Sequence, residues 1–318
     1  MYSIPAISVI MSIYNEPEQW LCESIESILN QTYTDFEFII INDNPKREVN
    51  RKVLNRYQGE DKRIIAIHNE ENIGLTKSLN KGLKIAKGEF IARMDGDDIS
   101  LPRRFEKQVI HLFNNPDIAV CGTQIKIIGN WINFKKLIFP LEHHRIAHEL
   151  LLNSSFAHPT VMIRREVLKR NNIKYDESFQ QTQDYKLWVD LIGLGKFSNI
   201  KERLLLYRTS QNQISLKKKE QQIANAKRCR LLCLKKLYPN IEFLNSTDLF
   251  SVNPAQIKEL TADKLKNSSL LVLYWLSLKE YSLKITITFI ESGDWRYFNC
   301  MQVLAYFKRF FKGSQPLI

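Results

Sequence analysis

A chain of 318 residues, 44% hydrophobic and 25% charged, can bury a full-sized core and is too apolar and too varied to be a disordered chain. The strongest apolar stretch near the C-terminus, Leu270 to Leu278, is far short of the roughly 20 residues that a spanning helix needs, and no basic segment with an apolar h-region opens the chain. Five scattered cysteines exclude a disulfide framework and point to a reduced, cytoplasmic setting. The net charge of +12 is uneven: residues 1–125 carry 15 Lys and Arg against 18 Asp and Glu, a net of −3, and the remainder 31 against 16, a net of +15. A basic half of this kind suits a nucleic-acid binder or an enzyme lying on an anionic membrane surface.

The first 125 residues alternate in type. Ala6 to Ile13 reads as a strand, Pro17 to Asn30 as a helix with Trp20, Leu21, Ile25, Ile28 and Leu29 in helical period, and Phe36 to Ile41 as a second strand. A polar helix-like stretch runs to Tyr57; then follow a strand at Ile64 to Ile67, a helix at Gly74 to Ala86 and a fourth strand at Phe90 to Met94. This rhythm predicts an α/β fold with a mostly parallel sheet flanked by helices. In such sheets ligands sit at the carboxyl ends of the strands. The residues to inspect are therefore Tyr14-Asn15-Glu16, Asn42-Asp43-Asn44 and Asp95-Gly96-Asp97-Asp98.

Beyond residue 115 the pattern changes. Strands are expected at Ile118 to Ile128 and Trp131 to Phe139 around a Gly129-Asn130 turn. Helices are expected at Glu142–Leu152, Arg164–Arg170 and Asp184–Leu194, and a strand pair around Phe197–Tyr207. After Ser215 the pattern is helical almost to the end. The expected division is a domain over residues 1–215 and a basic helical region over 216–318.

Three carboxylates within four residues, Asp95, Asp97 and Asp98, repel one another unless a cation sits among them. Mg²⁺ and Mn²⁺ favour such oxygen ligands. The other reading is a solvated acidic turn before a helix starting near Pro102, with Ser100 as its N-cap. Asp43 can accept a hydrogen bond from a nucleobase or ribose, or close an Asx turn with Asn42 and Asn44. Asp184 can cap its helix or act as a general base toward an acceptor hydroxyl. Asn72-Ile73-Gly74 fits a phosphate turn or a helix cap, and His158-Pro159-Thr160 an acceptor contact or a structural turn. His144 and His148 lack the HExxH pattern, and Cys229 with Cys233 suit a core seam. Neither GxGxxG nor GxxxxGK[ST] is present, which excludes a dinucleotide-binding Rossmann domain and a P-loop enzyme.

As an ordered set these segments resemble glycosyltransferase family 2, of GT-A fold. ISVIMSIYNE, ESIESILNQTYTDFEFIIINDN and NIGLTKSLNKGLKIAKGEFIARMDGDDISLPRRFEKQ follow that family in order and spacing, and HPTVMIRREVL, QTQDYKLW and LLLYRTSQNQIS continue it more loosely, covering about residues 4–215. The resemblance implies that Asp43 contacts the uracil or ribose of a nucleotide-sugar donor, with Ser12 and Glu16 nearby. It implies that Asp95 and Asp97 form the DXD motif, Asp97 being the direct ligand of Mn²⁺ or Mg²⁺, and that Asp184 is the base of an inverting transfer. Tyr14, Asn72, Arg93 and Asp95 complete the expected donor-binding set. The chain departs from the pattern at Gln183, where relatives often carry Glu, and at Asn42, which replaces a frequent Asp. The QxxRW signature of processive synthases is absent, so one sugar per encounter is expected.

The expected partners are a nucleotide sugar, a saccharide acceptor that a lipid carries in one reading, and an anionic membrane surface for the basic C-terminal region; no nucleic acid is expected. The expected location is cytoplasmic, peripheral on the cytoplasmic face of the inner membrane, with a role in cell-surface polysaccharide or lipopolysaccharide assembly. Lys217 to Lys219, Lys227, Arg228, Arg230, Lys235 and Lys236 interleave with leucines, and Tyr306 to Lys312 mixes aromatics with cations; such segments lie at a membrane interface or form the solvated basic face of a helical appendage packed on the catalytic domain. Two other classes compete: a sugar-nucleotide pyrophosphorylase, whose glycine-rich Arg-containing loop is missing, and a nucleic-acid-binding protein, which leaves the Asp-rich strand ends unexplained.

Overall fold

A computed structural model of the chain describes residues 5–129, 138–151, 153–209 and 219–237. The first strand and helix are β1 (Ile7–Ile13) and α1 (Glu18–Leu29), followed by β2 (Phe36–Asn42), α2 (Glu48–Glu60), β3 (Ile64–His68), α3 (Leu75–Ile85) and β4 (Phe90–Asp95). Each expected element of this half is present within a residue or two, except that α2 runs three residues past the expected end at Tyr57. All seven residues of β1 and all seven of β2 are buried. Helices therefore cover both faces of the sheet, which is why these strands read as continuous apolar runs rather than as alternations.

The second half adds β5 (Ile99–Ser100), α4 (Arg104–Asn114), β6 (Ile118–Gly129), α5 (His143–Glu149), a 3-10 turn at His158–Thr160, β7 (Met162–Arg164), α6 (Arg165–Arg170), α7 (Gln183–Leu191), β8 (Lys196–Thr209) and α8 (Lys219–Leu237). The sheet order is β3-β2-β1-β4-β7-β6-β8-β5. β1 runs parallel to β2 and β4, β2 to β3, and β6 to β8, while β7 is antiparallel to both its neighbours and β5 is antiparallel to β8.

This order forces the sheet to curl. β4 and β5 lie four strand positions apart, about 19 Å in a flat sheet, yet only residues 96–98 join them. A linker of that length reaches about 14 Å. The far edge must bend back toward β4, and the acidic turn sits where it closes.

Several expectations shift. Ser100 is not a helix cap: it lies in β5, its amide donates to Ser27 Oγ at 3.0 Å, and α4 begins four residues later. The strand pair expected around Phe197–Tyr207 is one long strand, β8, bulged against β6. Phe139 lies outside any strand, and its backbone is held by the side chain of Gln124 at 2.9 Å on both sides. Gly129 ends β6 at φ +107°, while residues 130–137, with the rest of the expected turn and most of the expected Trp131 to Phe139 strand, lie outside the described residues. So do the His148 side chain and the segments Leu270–Leu278 and Tyr306–Lys312.

The compact unit that contains the sheet runs to Leu237. Within it α8 lies against α7, Asn225 donating to the Gln180 carbonyl at 2.8 Å. Cys229 and Cys233 are fully buried, as a core seam demands, and burial pushes both thiols up to about 12. His144 is exposed, with Glu142 as its neighbour.

Candidate active site

The carboxyl ends of β1 and β4 lie side by side, Ser12 paired in register with Asp95. From there the chain turns through Gly96, Asp97 and Asp98 into β5. Ser24 and Ser27 of α1, one helical turn apart on one face, and Gln31 just beyond its C-terminal end hold this segment with polar side chains. Ser24 Oγ donates to the Asp95 carbonyl at 2.7 Å, Ser27 Oγ accepts from Ser100, and the Gln31 amide donates to Ser100 Oγ and to the Leu101 carbonyl and accepts from Phe105 N–H. The apolar period of α1 seats the helix on the sheet. The polar row positions the acidic turn.

The carboxylates here are crowded. Burial, with Asp95 and Glu16 close by, pushes Asp97 up to about 7. Asp98 is 1% exposed and raised well above the carboxylate range by burial and by Asp97 and Asp95. Glu16 is raised as well, by burial first; its carboxylate caps the turn by accepting from Tyr14 N–H at 2.7 Å. The Tyr14 ring is exposed, and its carbonyl accepts from Asn50 at 2.9 Å.

Three arginines answer this charge. Arg93, 2% exposed, pairs with Asp95. Arg104 is fully buried, donates to the Pro159 carbonyl at 2.6 Å, and is lowered to about 9 by burial, against which Asp98 works. Arg208 donates to the Asp97 carbonyl at 2.8 Å.

Asp43 sits one residue beyond β2 and is 3% exposed. Its Oδ1 accepts from Asn69 at 2.7 Å and from Ile73 N–H at 2.9 Å, and its Oδ2 from Gly74 N–H at 2.9 Å. It therefore ties the β3–α3 loop and the start of α3 to the end of β2. Gly74, at φ +87°, takes a left-handed conformation that most side chains disfavour. The Asx turn beside it belongs to Asn42, whose Oδ1 accepts from Asn44 N–H at 3.1 Å. Asn72 is exposed on the same loop. Asp43→Ala leaves an amide and two N–H groups without their acceptor, so the expected loss is about 3 kcal/mol, a fall in Tm of roughly 6–12 °C. Calorimetry of the variant checks this, and an unchanged Tm would count against the bracing role.

Asp184 occupies the first turn of α7. Burial raises its pKa, the N–H groups of Tyr185 and Asp184 pull it down, and Asp95 and Arg93 act on it from the end of β4. Trp188, one helical turn further on, is fully buried between Phe156 at 5.1 Å and His158 at 6.0 Å. Residues four apart share a helix face, so the packed indole fixes the rotation of the helix turn that carries Asp184. His158 bonds Tyr175 Oη at 2.8 Å, and burial and Arg93 hold its imidazole well below the ordinary histidine range. The 158–160 segment also works as a structural turn, Thr160 Oγ1 donating to the Ala157 carbonyl at 2.8 Å.

The structure thus gathers Ser12, Glu16, Arg93, Asp95 and Asp97 at the ends of β1 and β4, with Asp184 within electrostatic reach. Asp43 and Asn72 lie further along the same edge. The sequence reading missed Arg104, Tyr175, Tyr207 and Arg208, all of which feel this carboxylate cluster. The Ser24 and Ser27 spacing was a legible signal for the polar face of α1.

Among the described residues no three His, Cys, Asp or Glu side chains converge as a metal cage. That is compatible with Mg²⁺ or Mn²⁺, which take one or two carboxylates from a protein and the rest from phosphates and water. Asp97 and Asp95 supply hard oxygen donors in the right number. Burial first, and then repulsion from Asp95 and Glu16, work against the charged form of Asp97, and a cation would remove that repulsion.

The family model described as glycosyl transferase family 2 matches residues 8–171. The chain belongs to glycosyltransferase family 2. An uncharacterized glycosyltransferase of Methanocaldococcus jannaschii is 42% identical over 68% of this chain and 76% of its own. An O-antigen biosynthesis glycosyltransferase of Escherichia coli is 37% identical over 64% of this chain and 79% of its own. A second E. coli relative, named as a UDP-Glc:α-D-GlcNAc-diphosphoundecaprenol β-1,3-glucosyltransferase, is 31% identical over 67% and 80%. Among solved structures, S. aureus TarS 1–349 in complex with UDP-GlcNAc superposes with a TM-score of 0.57, covering 80% of this family member and 79% of TarS at 18% identity. A Pyrobaculum calidifontis mannosyltransferase in complex with GDP-Man and Mn²⁺ reaches 0.52 over 95% and 84%, at 12% identity. The mostly parallel, curled sheet is the GT-A-like fold of these neighbours.

Proposed function

We propose that this glycosyltransferase is an inverting, metal-dependent hexosyltransferase that moves one sugar from a UDP-sugar to a hydroxyl of a saccharide acceptor. The observation that carries the reading is that Asp184, in the first turn of α7, feels the charge of Asp95 at the end of β4. A base for the acceptor and the carboxylates for the donor diphosphate then share one site. Asp184 takes the acceptor proton as the hydroxyl oxygen attacks the anomeric carbon from the face opposite the nucleotide. Its raised pKa suits it to hold that proton. Arg93 keeps Asp95 oriented, and Asp43 braces the loop beside the nucleoside, with Ser12, Tyr14, Glu16 and Asn72 lining the donor side.

A divalent cation, Mn²⁺ or Mg²⁺, held by Asp97 and Asp95, would neutralise charge on the leaving diphosphate. The UDP donor and the β product of an α-linked donor are supported by the UDP-Glc-dependent β-glucosyltransferase relative. Its named acceptor supports a lipid-linked saccharide, and the O-antigen relative supports a role in cell-surface polysaccharide assembly. Among the described residues no helix is long and apolar enough to cross a membrane. A peripheral position on the cytoplasmic face of the inner membrane, through the basic residues beyond 215, accords with such an acceptor.

The test is nucleotide release from UDP-, GDP- and dTDP-sugars with Mn²⁺, Mg²⁺ or EDTA. The expected result is turnover of one UDP-sugar that EDTA abolishes. Turnover of a GDP- or dTDP-sugar alone overturns the donor assignment, and turnover in EDTA overturns the metal. An α-configured product, read by NMR, overturns inversion.

A further inference from the structure

Of the three arginines around the acidic turn, Arg208 has the contacts of a clamp. Its backbone N–H donates to Asp98 Oδ1 at 2.8 Å, its Nε to the Asp97 carbonyl at 2.8 Å, and its Nη2 to Glu23 Oε2 at 2.6 Å. The guanidinium carbon lies 4.7 Å from the centre of the Trp20 ring. Glu23 is itself held, its Oε1 accepting from Gln19 at 2.8 Å. Trp20 and Glu23 both belong to α1, and Arg208 belongs to β8. One side chain therefore joins the far edge of the sheet to the helix that cradles β4, with the acidic turn between them.

We propose that Arg208 is a positioning residue that sets the Gly96–Asp98 turn so that Asp97 presents its carboxylate to the cation and diphosphate. The proposal rests on the cation reading given above. Glu16, Asp95, Asp97 and Asp98 repel one another, and a turn containing glycine yields readily to such a force. Ser24 grips the turn at the Asp95 carbonyl. Arg208 grips it at Asp97 and at Asp98 just past the DXD segment, its guanidinium on the main-chain oxygen of Asp97 and its backbone N–H on a carboxylate oxygen of Asp98. The planar guanidinium spans the Asp97 carbonyl and Glu23 at once and still stacks on Trp20; a lysine ammonium, a point charge on a flexible stem, cannot do all three. Groups that orient a ligand in this way typically change metal affinity by about 10–100-fold when removed.

The experiment compares wild type, Arg208→Gln, Arg208→Lys and Glu23→Gln. Binding of Mn²⁺ with UDP is read by calorimetry and by the EPR signal of free Mn²⁺, and Tm is recorded for each. Arg208→Gln is expected to weaken Mn²⁺-dependent UDP binding by about 10–100-fold, with Arg208→Lys intermediate and Glu23→Gln smaller in the same direction. With the metal saturating, kcat recovers more than the metal constant does. A lowered Tm with an unchanged Mn²⁺ constant across all three variants overturns the proposal and leaves Arg208 a merely structural residue. A wild type whose UDP binding ignores Mn²⁺ overturns the cation reading itself, an outcome seen before any variant is made.

Discussion

Replacing Asp184 by alanine is expected to lower turnover by about 10²–10⁴-fold, the usual contribution of a general base, while UDP binding stays close to wild type. The separation follows from position. Asp184 opens α7, whereas the donor-side residues sit on β1, β4 and the turn to β5. Its rotation is held by Trp188, and alanine leaves that packing intact. The charge state adds a second signature. A base must be deprotonated, so activity falls as pH drops through its pKa, and burial raises that pKa above the ordinary carboxylate value. The acid limb of kcat is expected above the range of an exposed aspartate. Single-turnover rates against pH for wild type and Asp184→Ala provide the check; near-normal turnover in the variant would remove Asp184 from its role.

Asp97→Ala is expected to abolish the metal dependence of donor binding and to reduce kcat/KM by at least about 10²-fold, the scale on which removal of one electrostatic stabiliser at a leaving group is felt. The crowded carboxylates explain the sign. Asp97 is pushed up to about 7 by burial, Asp95 and Glu16, so deleting it relieves repulsion and its removal need not destabilise the fold. The expected pattern is an unchanged or higher Tm with lost Mn²⁺-dependent UDP binding. Calorimetric titration of UDP with Mn²⁺ or EDTA distinguishes the cases, and a variant that still binds UDP only with metal would transfer the ligand role to Asp95.

The site was partly legible because half of it is local. The acidic turn, Asp43 and the residues after β1 all fall at strand ends, where continuous apolar runs stop and polar residues begin. Asp43 shows the limit of that reading. Its place at the edge was legible, but its three internal donors come from residues 26 to 31 positions away. No local pattern marks it as the brace of α3. Ser100 failed as a cap for a related reason: a Ser before a helical run looks the same whether its hydroxyl meets the helix start or, as here, the Gln31 amide just after α1.

Element type in the first half was settled by the sequence alone, because apolar periodicity and turn residues act over a few neighbours. The family followed from ordered motifs along the chain. The sheet order, with β7 antiparallel in the middle and β5 returning to β8 at the far edge, was decided only by the tertiary structure, because pairing partners are chosen by burial and chain reach across the whole domain. The same holds for Arg208. Its number stands 110 positions from Asp98, and only the curl of the sheet, imposed by a three-residue link, brings the two into contact.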